Sequence, residues 1–118
     1  MTIMIIDDDQ DILNLFSDFL QNKGYDVVSY LDPIAALEEI EERPQGYSLI
    51  ITDIRMPGIS GLELIKRVCK INQDIRVILM SAFEINGSDL KELRYDKHLQ
   101  KPIHMRTLAQ TIDKMLKS

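Results

Sequence analysis

Ile50-Ile51-Thr52-Asp53-Ile54-Arg55-Met56-Pro57 is a β-branched, apolar run that ends abruptly in a carboxylate. Ile5-Ile6-Asp7-Asp8-Asp9 has the same order near the start of the chain, and Gln100-Lys101-Pro102 places a lysine directly before a proline. If the apolar runs are parallel strands, their carboxyl ends lie along one edge of a sheet, so the acids and the lysine converge. Clustered carboxylates beside one lysine suit a hard divalent cation and an oxyanion such as phosphate.

The composition favours one globular domain. With 118 residues, of which 45% are hydrophobic and 28% are charged, the chain can bury one core but has no room for a second domain. We therefore expect residues 1–118 to form a single domain. The net charge of -5 argues against a dedicated nucleic-acid binder, which normally carries a basic patch. We expect protein or small-ion partners and no direct contact with nucleic acid.

Cysteine usage and the lengths of the apolar runs predict a cytoplasmic protein. Cys69 is the single cysteine, so an intramolecular disulfide is excluded. The apolar start of the chain meets Asp7 before it could serve as the apolar region of a signal peptide. No apolar run approaches the roughly 20 residues of a membrane span. We expect a soluble protein of a reducing compartment, without membrane insertion.

Short apolar runs alternate with amphipathic segments along the chain. Residues 3–6, 49–51 and 75–80 are predicted strands, and the last two runs are almost continuously apolar. That pattern is typical of a sheet that is covered on both faces. Asp26–Tyr30 and residues 98–100 are shorter and more polar, so we interpret them as edge strands.

Start and stop signals place helices between these strands. Gly24 is predicted to cap the end of the first helix. Asp32-Pro33 has the order of an N-cap followed by a helix-opening proline, and Ser60 with Glu63 forms a capping box. Two apolar stripes at helical spacing mark the first and last helices: Ile12, Phe16, Phe19 and Leu20, and Met105, Leu108, Ile112 and Met115.

The result is five repeats of a strand followed by a helix. Such alternation predicts right-handed crossovers and a doubly wound, mostly parallel sheet. This class of sheet binds ligands outside the carboxyl ends of its strands, where the strand order reverses. We expect the chemically active side chains at that edge: Asp7, Asp8, Asp53, Ser81 and Lys101.

Four motifs, each at the end of a predicted strand, resemble those of the receiver domains of two-component response regulators. They are Asp7-Asp8, Asp53-x-x-Met56-Pro57-x-x-x-Gly61, Ser81-Ala82 and Lys101-Pro102. Each motif alone is weak, but the four occur in the family's order over essentially the whole chain. The resemblance is to single-domain, chemotaxis-regulator-like receivers. It implies a flavodoxin-like (βα)5 fold with a five-stranded parallel sheet in the order 2-1-3-4-5.

The resemblance also implies roles in phosphoryl transfer. Asp53 is the expected phosphoryl acceptor, since a carboxylate can act as a nucleophile and become an aspartyl phosphate. Lys101 is expected to pair with one phosphoryl oxygen, and the Ser81 hydroxyl to donate to another. The Lys101-Pro102 peptide of the family is typically cis.

The same resemblance implies a Mg²⁺ site. Asp8 is expected to bind the ion directly, together with the acceptor Asp53. Asp7 is expected to act through a bound water, and the backbone carbonyl of Arg55 supplies a further oxygen. One or two carboxylates with phosphate oxygens and waters match the ligand preference of Mg²⁺.

Three further residues are expected to tune the switch and the lifetime of the phosphoryl group. His98 occupies the position where receivers usually carry an aromatic residue that turns inward when Ser81 moves, so the switch is expected to be pH-sensitive. The charge on a buried, unpaired imidazolium would oppose that inward turn. Arg55 and Phe83 flank the expected phosphoryl group, and their bulk predicts slow hydrolysis.

Other features have structural interpretations or depart from the family. Between Ser81 and Lys101 the chain is short, and Asn86-Gly87 is a turn signal, so we expect a short or displaced helix there. His104 is expected at the start of the last helix. Four glutamates are expected to form a solvated helix face: Glu38, Glu39, Glu41 and Glu42.

The resulting hypothesis is a stand-alone receiver that accepts a phosphoryl group from a histidine kinase or phosphotransfer protein. It would assist its own phosphorylation and dephosphorylation and signal to a downstream protein by a conformational change, with dimerisation on phosphorylation among the outcomes. The alternative is a pseudo-receiver that binds proteins without being phosphorylated. A Mg²⁺-dependent phosphatase is a third interpretation, but Arg55 stands where its second acid would be needed.

Overall fold

A computed structural model describes residues 2–82 and 95–117. Within these ranges the chain forms five strands and four helices. The strands are β1 (Thr2–Ile6), β2 (Asp26–Tyr30), β3 (Leu49–Asp53), β4 (Arg76–Ser81) and β5 (Lys97–Gln100). The helices are α1 (Gln10–Asn22), α2 (Pro33–Glu42), α3 (Gly61–Ile71) and α4 (Met105–Lys117).

The strands form one sheet in the order β2-β1-β3-β4-β5, and all neighbouring pairs are parallel. The predicted flavodoxin-like order and the two predicted edge strands are therefore confirmed. β3 and β4 extend slightly beyond the predicted apolar runs. Asp53 still pairs with Met80, and Ser81 pairs with Gln100, so both polar residues belong to their strands.

Among the described residues, two helices cover each face of the sheet. α2 and α3 pack on one face, where the core includes Ile50, Leu64 and Val77. α1 and α4 pack on the other face, whose core includes Ile51 and Leu108. Because adjacent residues of a strand point to opposite faces, β3 must be apolar on both sides. This double burial explains its continuous apolar run.

The predicted helix caps are present. Asp9 and Asp32 accept hydrogen bonds from the first turns of α1 and α2, and the Ser60 hydroxyl accepts from the Glu63 N–H. Gly24 has a φ of 95°. Its N–H donates to the carbonyl of Gln21, and the next N–H donates to Leu20, which is the Schellman arrangement. Asp9 and Asp32 thus begin α1 and α2 a few residues after β1 and β2 end, beside the sheet edge that carries the acids.

Several minor predictions have mixed outcomes. Glu38, Glu41 and Glu42 are exposed, but Glu39 is half-buried, accepts a hydrogen bond from the Tyr30 hydroxyl and pairs with Arg43. The solvated-face interpretation is wrong for Glu39 because its side chain lies against this tyrosine.

The expected helix around Asn86-Gly87 lies outside the described residues. No helix in the described part of the chain has the length and apolar character needed to cross a bilayer.

Candidate functional site

Three carboxylates meet at the carboxyl edge of the sheet, where the strand order reverses. β1 and β3 are neighbours at this point, so Asp7 directly after β1 comes beside Asp53 at the end of β3. One carboxylate oxygen from each of Asp7, Asp8 and Asp53 lies within 4.8 Å of the other two. Asp7 is fully buried, Asp53 is 8% exposed and Asp8 is exposed. The cluster therefore has a closed inner side and an open outer side.

Lys101 enters the cluster from the end of β5. Its Nζ lies 3.0 Å from Asp7 Oδ2 and 3.1 Å from Asp53 Oδ2. The Lys101 N–H donates to the carbonyl of Ser81 at 2.6 Å, which joins the ends of β4 and β5. The Lys101-Pro102 peptide is cis, as the resemblance implied. One ammonium group thus lies between two acids from different strands.

Burial and charge pairing shift the pKa values of this group. Burial raises the pKa of the Asp7 carboxyl, and the hydrogen bonds from Lys101 and the Asp9 N–H offset only part of that effect. Burial alone would lower the pKa of Lys101. The hydrogen bonds to Asp7 and Asp53 outweigh it, so the pKa of Lys101 lies above its ordinary range. Lys101 is therefore a lasting positive charge in the cluster.

Backbone donors orient the two inner carboxylates. The Ile54 N–H donates to Asp53 Oδ1 at 2.8 Å, and the Asp9 N–H donates to Asp7 Oδ1 at 3.0 Å. The second oxygen of each carboxylate contacts Lys101. Each acid is thus held at both oxygens before any ligand binds.

Gly61 supports the site through a backbone contact that the motif did not reveal. Its N–H donates to the Ile54 carbonyl at 2.8 Å. A Cβ atom at this position would lie 2.2 Å from the Asp53 carbonyl oxygen, so a larger residue would displace the backbone of the acid. The available signal was a glycine directly after the N-cap Ser60, where helix propensity alone favours other residues.

Ser81 and His98 form a direct pair. Ser81 Oγ lies 2.8 Å from His98 Nε2, across the β4–β5 pairing. Ser81 is 4% exposed and His98 is half-buried. The expected burial of an unpaired imidazolium concerns the inward-turned ring of the phosphorylated state, whereas here, without a phosphoryl group, the ring has a hydroxyl partner. The roles of both residues in a switch stay predictions.

The residues expected to tune phosphoryl lifetime are described only in part. Arg55 follows β3 and its side chain is exposed. Phe83 lies outside the described residues. The metal role of the Arg55 carbonyl and the shielding roles of Arg55 and Phe83 therefore stay predictions.

The donor set fits a hard cation. Asp7, Asp8 and Asp53 offer only oxygen ligands, and oxygen is the ligand type that Mg²⁺ prefers. The adjacent ammonium of Lys101 can balance an anion that binds at the same edge. The arrangement can therefore accommodate a divalent cation and a phosphoryl group side by side.

Comparison with known proteins gives a consistent result. The sequence profile of the response regulator receiver domain matches residues 3–113. The response regulator receiver protein CpdR of Brucella abortus is 34% identical over 116 residues, which cover 97% of this chain and 95% of that protein.

Two solved structures have the same fold. A CheY-like receiver domain protein from Methanospirillum hungatei has a TM-score of 0.91 and 26% identity, over 98% of this chain and 93% of that one. Response regulator protein TrrA from Thermotoga maritima, solved in complex with Mg(2+)-BeF, has a TM-score of 0.84 and 32% identity, over 96% of each chain.

Proposed function

Since the chain belongs to the family of response regulator receiver domains, we propose that it accepts a phosphoryl group on Asp53 from a histidine kinase or phosphotransfer protein. The observation that carries this proposal is the position of Asp53. Its carboxylate ends β3, is held at one oxygen by the Ile54 N–H, and contacts Lys101 Nζ at 3.1 Å through the other. Phosphorylation would then change the conformation that a downstream protein recognises.

The proposed transfer is a nucleophilic displacement. A bond forms between a carboxylate oxygen of Asp53 and phosphorus, while the bond from phosphorus to the donor's nitrogen or oxygen breaks and the donor keeps the electron pair. Lys101 would release its contact with Asp53 Oδ2 and pair with a phosphoryl oxygen. The Ser81 hydroxyl would donate a hydrogen bond to another phosphoryl oxygen.

Mg²⁺ is the proposed cofactor. Asp8, Asp53 and the carbonyl of Arg55 would hold it, with Asp7 acting through a water. When bound, it would supply positive charge that offsets the repulsion between these acids and an incoming phosphate. The oxygen-only cluster of three carboxylates supports this assignment.

Further parts of the proposal concern the molecule and its setting. We propose that residues 1–118 act as one receiver domain in the cytoplasm, that the domain assists its own phosphorylation and dephosphorylation, and that dimerisation can accompany phosphorylation. Arg55 and Phe83 would slow the entry of water to the phosphoryl group. Membership of the receiver family supports the single receiver domain, and the single Cys69 supports a reducing compartment.

Intact mass spectrometry tests the phosphoryl acceptor. The chain is incubated with a small phosphodonor, with and without Mg²⁺. We expect the mass of one phosphoryl group to be added only when Mg²⁺ is present, and Asp53→Asn to abolish the addition. Asp74→Asn, which changes an exposed acid outside the cluster, is the matched control and should behave like the parent.

Two outcomes would contradict the proposal. If Asp53→Asn keeps the same modification, another residue is the acceptor. If the parent is never modified, by the small donor or by a histidine kinase, the pseudo-receiver alternative is favoured. The first outcome rejects the residue, whereas the second rejects the function.

A further inference from the structure

The pair formed by Ser81 and His98 joins the candidate site to the edge of the sheet. Ser81 is the last residue of β4, and His98 lies on the neighbouring edge strand β5. The distance between Ser81 Oγ and His98 Nε2 is 2.8 Å, which is within the range of a hydrogen bond. The serine is one of the residues assigned to the phosphoryl group in the proposed function.

The direction of this bond follows from the strand order. β4 lies between β3 and β5, so Asp53 and His98 are on opposite sides of it. His98 pairs with Leu79, and side chains two residues apart on a strand share a face, so Ser81 and the ring lie on the same face of the sheet. The bond therefore directs the serine hydroxyl toward β5, whereas Asp53 lies toward β3.

The chemistry of the two groups makes the bond independent of the tautomer. A serine hydroxyl can donate to a bare Nε2, and it can also accept from a protonated Nε2. In both cases the ring nitrogen holds Oγ on its own side of β4. A phenyl ring at position 98 has no nitrogen and could not form this bond.

We propose that His98 is a positioning residue for Ser81, which holds the hydroxyl in the unphosphorylated protein. This inference rests on the proposed function, because it concerns the same phosphoryl site. When Asp53 is phosphorylated, Ser81 exchanges Nε2 of His98 for a phosphoryl oxygen. The bond with His98 therefore favours the unphosphorylated state, and its removal should favour the phosphorylated one.

The size of the effect follows from the usual net contribution of one hydrogen bond. Removing the bond while keeping an aromatic ring should tighten the binding of a phosphoryl mimic by about 2- to 12-fold. His98→Phe is the variant that keeps a ring without a nitrogen. His98→Gln introduces a side-chain amide that can donate and accept a hydrogen bond, so its affinity for the phosphoryl mimic should stay within about 2-fold of that of the parent.

The first test observes the bond in metal-free protein by NMR of the imidazole ¹⁵N nuclei. His98 and His104 are the two histidines of the chain, so His104→Gln assigns their signals. We expect Ser81→Ala to shift the ring nitrogens of His98 and to leave those of His104 unchanged. Unchanged His98 signals in Ser81→Ala would overturn the proposal.

The second test measures the affinity of the parent, His98→Phe and His98→Gln for beryllofluoride in the presence of Mg²⁺. Tighter binding by His98→Phe alone supports the proposal. Unchanged or weaker binding by His98→Phe overturns it. Equally tighter binding by both variants also overturns it. Glutamine can still hydrogen-bond to Ser81, so loss of that bond would not explain the effect.

The two tests separate this inference from the proposed function. If Asp53 proves not to be phosphorylated, the NMR comparison in metal-free protein still decides whether His98 holds Ser81. If phosphorylation succeeds and the NMR comparison fails, the proposed function stands and the positioning role is rejected. The NMR arm also remains informative if His98→Phe does not fold.

Discussion

Lys101 links two acids that would otherwise repel each other. Its Nζ lies 3.0 Å from the fully buried Asp7 and 3.1 Å from Asp53. Removing one partner of a buried ion pair is costly because the remaining charge has lost its compensation. The same contacts raise the pKa of Lys101, so its charge persists across the ordinary pH range. One side chain thus stabilises the metal-free fold and is also available to a phosphoryl group.

We expect Lys101→Met to lower the free energy of unfolding of the metal-free protein by up to about 3 kcal/mol. Mg²⁺ should restore more stability to this variant than to the parent, because the cation replaces the lost positive charge. Urea denaturation with and without Mg²⁺ measures both effects. Lys66→Met, on the exposed face of α3, is the control and should change stability little. Equal stability of the two variants without Mg²⁺ would contradict this account of Lys101.

Gly61 and Gly24 are two glycines with different physical requirements. A Cβ at Gly61 would lie 2.2 Å from the Asp53 carbonyl oxygen, whereas a Cβ at Gly24 has nothing within 4 Å. Gly24 instead has a φ of 95°, which costs an L-residue about 1–2 kcal/mol. One glycine is required by space at the site, and the other by backbone conformation at the end of α1.

We expect both glycine-to-alanine variants to lose about 1–3 kcal/mol of stability. Only Gly61→Ala should also slow phosphorylation of Asp53, because it displaces the backbone that carries the acid. Thermal unfolding reports the first effect, and the rate of mass increase with a small phosphodonor reports the second. A normal rate in folded Gly61→Ala, or an equally slow rate in Gly24→Ala, would show that the close contact does not position Asp53.

At the scale of elements, α4 is tied to the beginning of β2. Tyr25 directly precedes β2, and its hydroxyl donates a hydrogen bond to the carboxylate of Asp113 in α4. Burial and the neighbouring Asp113 carboxylate raise the pKa of Tyr25 to about 12. The contact joins residues 88 positions apart in the chain. It therefore fixes α4 against the amino-terminal end of the sheet, opposite the carboxylate cluster.

The stability contributed by Tyr25 should depend on alkaline pH. Its pKa in the folded protein is raised from 10.0 to about 12, so its contribution is fully present below pH 10 and is lost as the pH rises through about 12. Tyr25→Phe should cost about 1 kcal/mol at neutral pH. It should also remove a tyrosinate absorbance change near pH 12, measured by ultraviolet titration. If the absorbance of Tyr25→Phe near pH 12 changes as much as that of the parent, the assignment of this titration to Tyr25 is contradicted.

At the scale of the whole molecule, the sheet converts distant segments into one charged edge. Asp7 and Lys101 are 94 positions apart, yet they form an ion pair because β1 and β5 run in the same direction through one sheet. The acids of this edge repel one another, and a divalent cation would relieve that repulsion. Binding to the folded state should therefore raise the stability of the entire domain.

We expect Mg²⁺ at about 100 times its dissociation constant to raise the free energy of unfolding by about 2.7 kcal/mol. Asp8→Asn should remove most of this gain, because it deletes the exposed ligand of the cluster. Asp74→Asn should keep the full gain. Thermal unfolding over a series of Mg²⁺ concentrations provides the comparison. If Asp8→Asn responds like the parent, the cation binds elsewhere.

The sequence by itself determined the elements and the chemical types of the site. Helix caps such as Asp32 and Ser60 depend on neighbours within a few residues, and so does the apolar run of β3. Both can therefore be identified from the local order of residue types. The order of the strands came from the family resemblance. The convergence of Asp7, Asp53 and Lys101 did not need that order, because it followed from parallel strands that end at one edge of a sheet.

Only the tertiary structure decided which atoms meet. Two of these contacts join residues that are distant in the chain: the bond between Ser81 and His98, and the contact of Tyr25 with α4. A third, the close approach of Gly61 to Asp53, depends on the path of the backbone between them. Such contacts depend on strand register and side-chain direction to within about an ångström. Local sequence order does not encode these quantities, because they are set by the packing of the whole sheet and its helices.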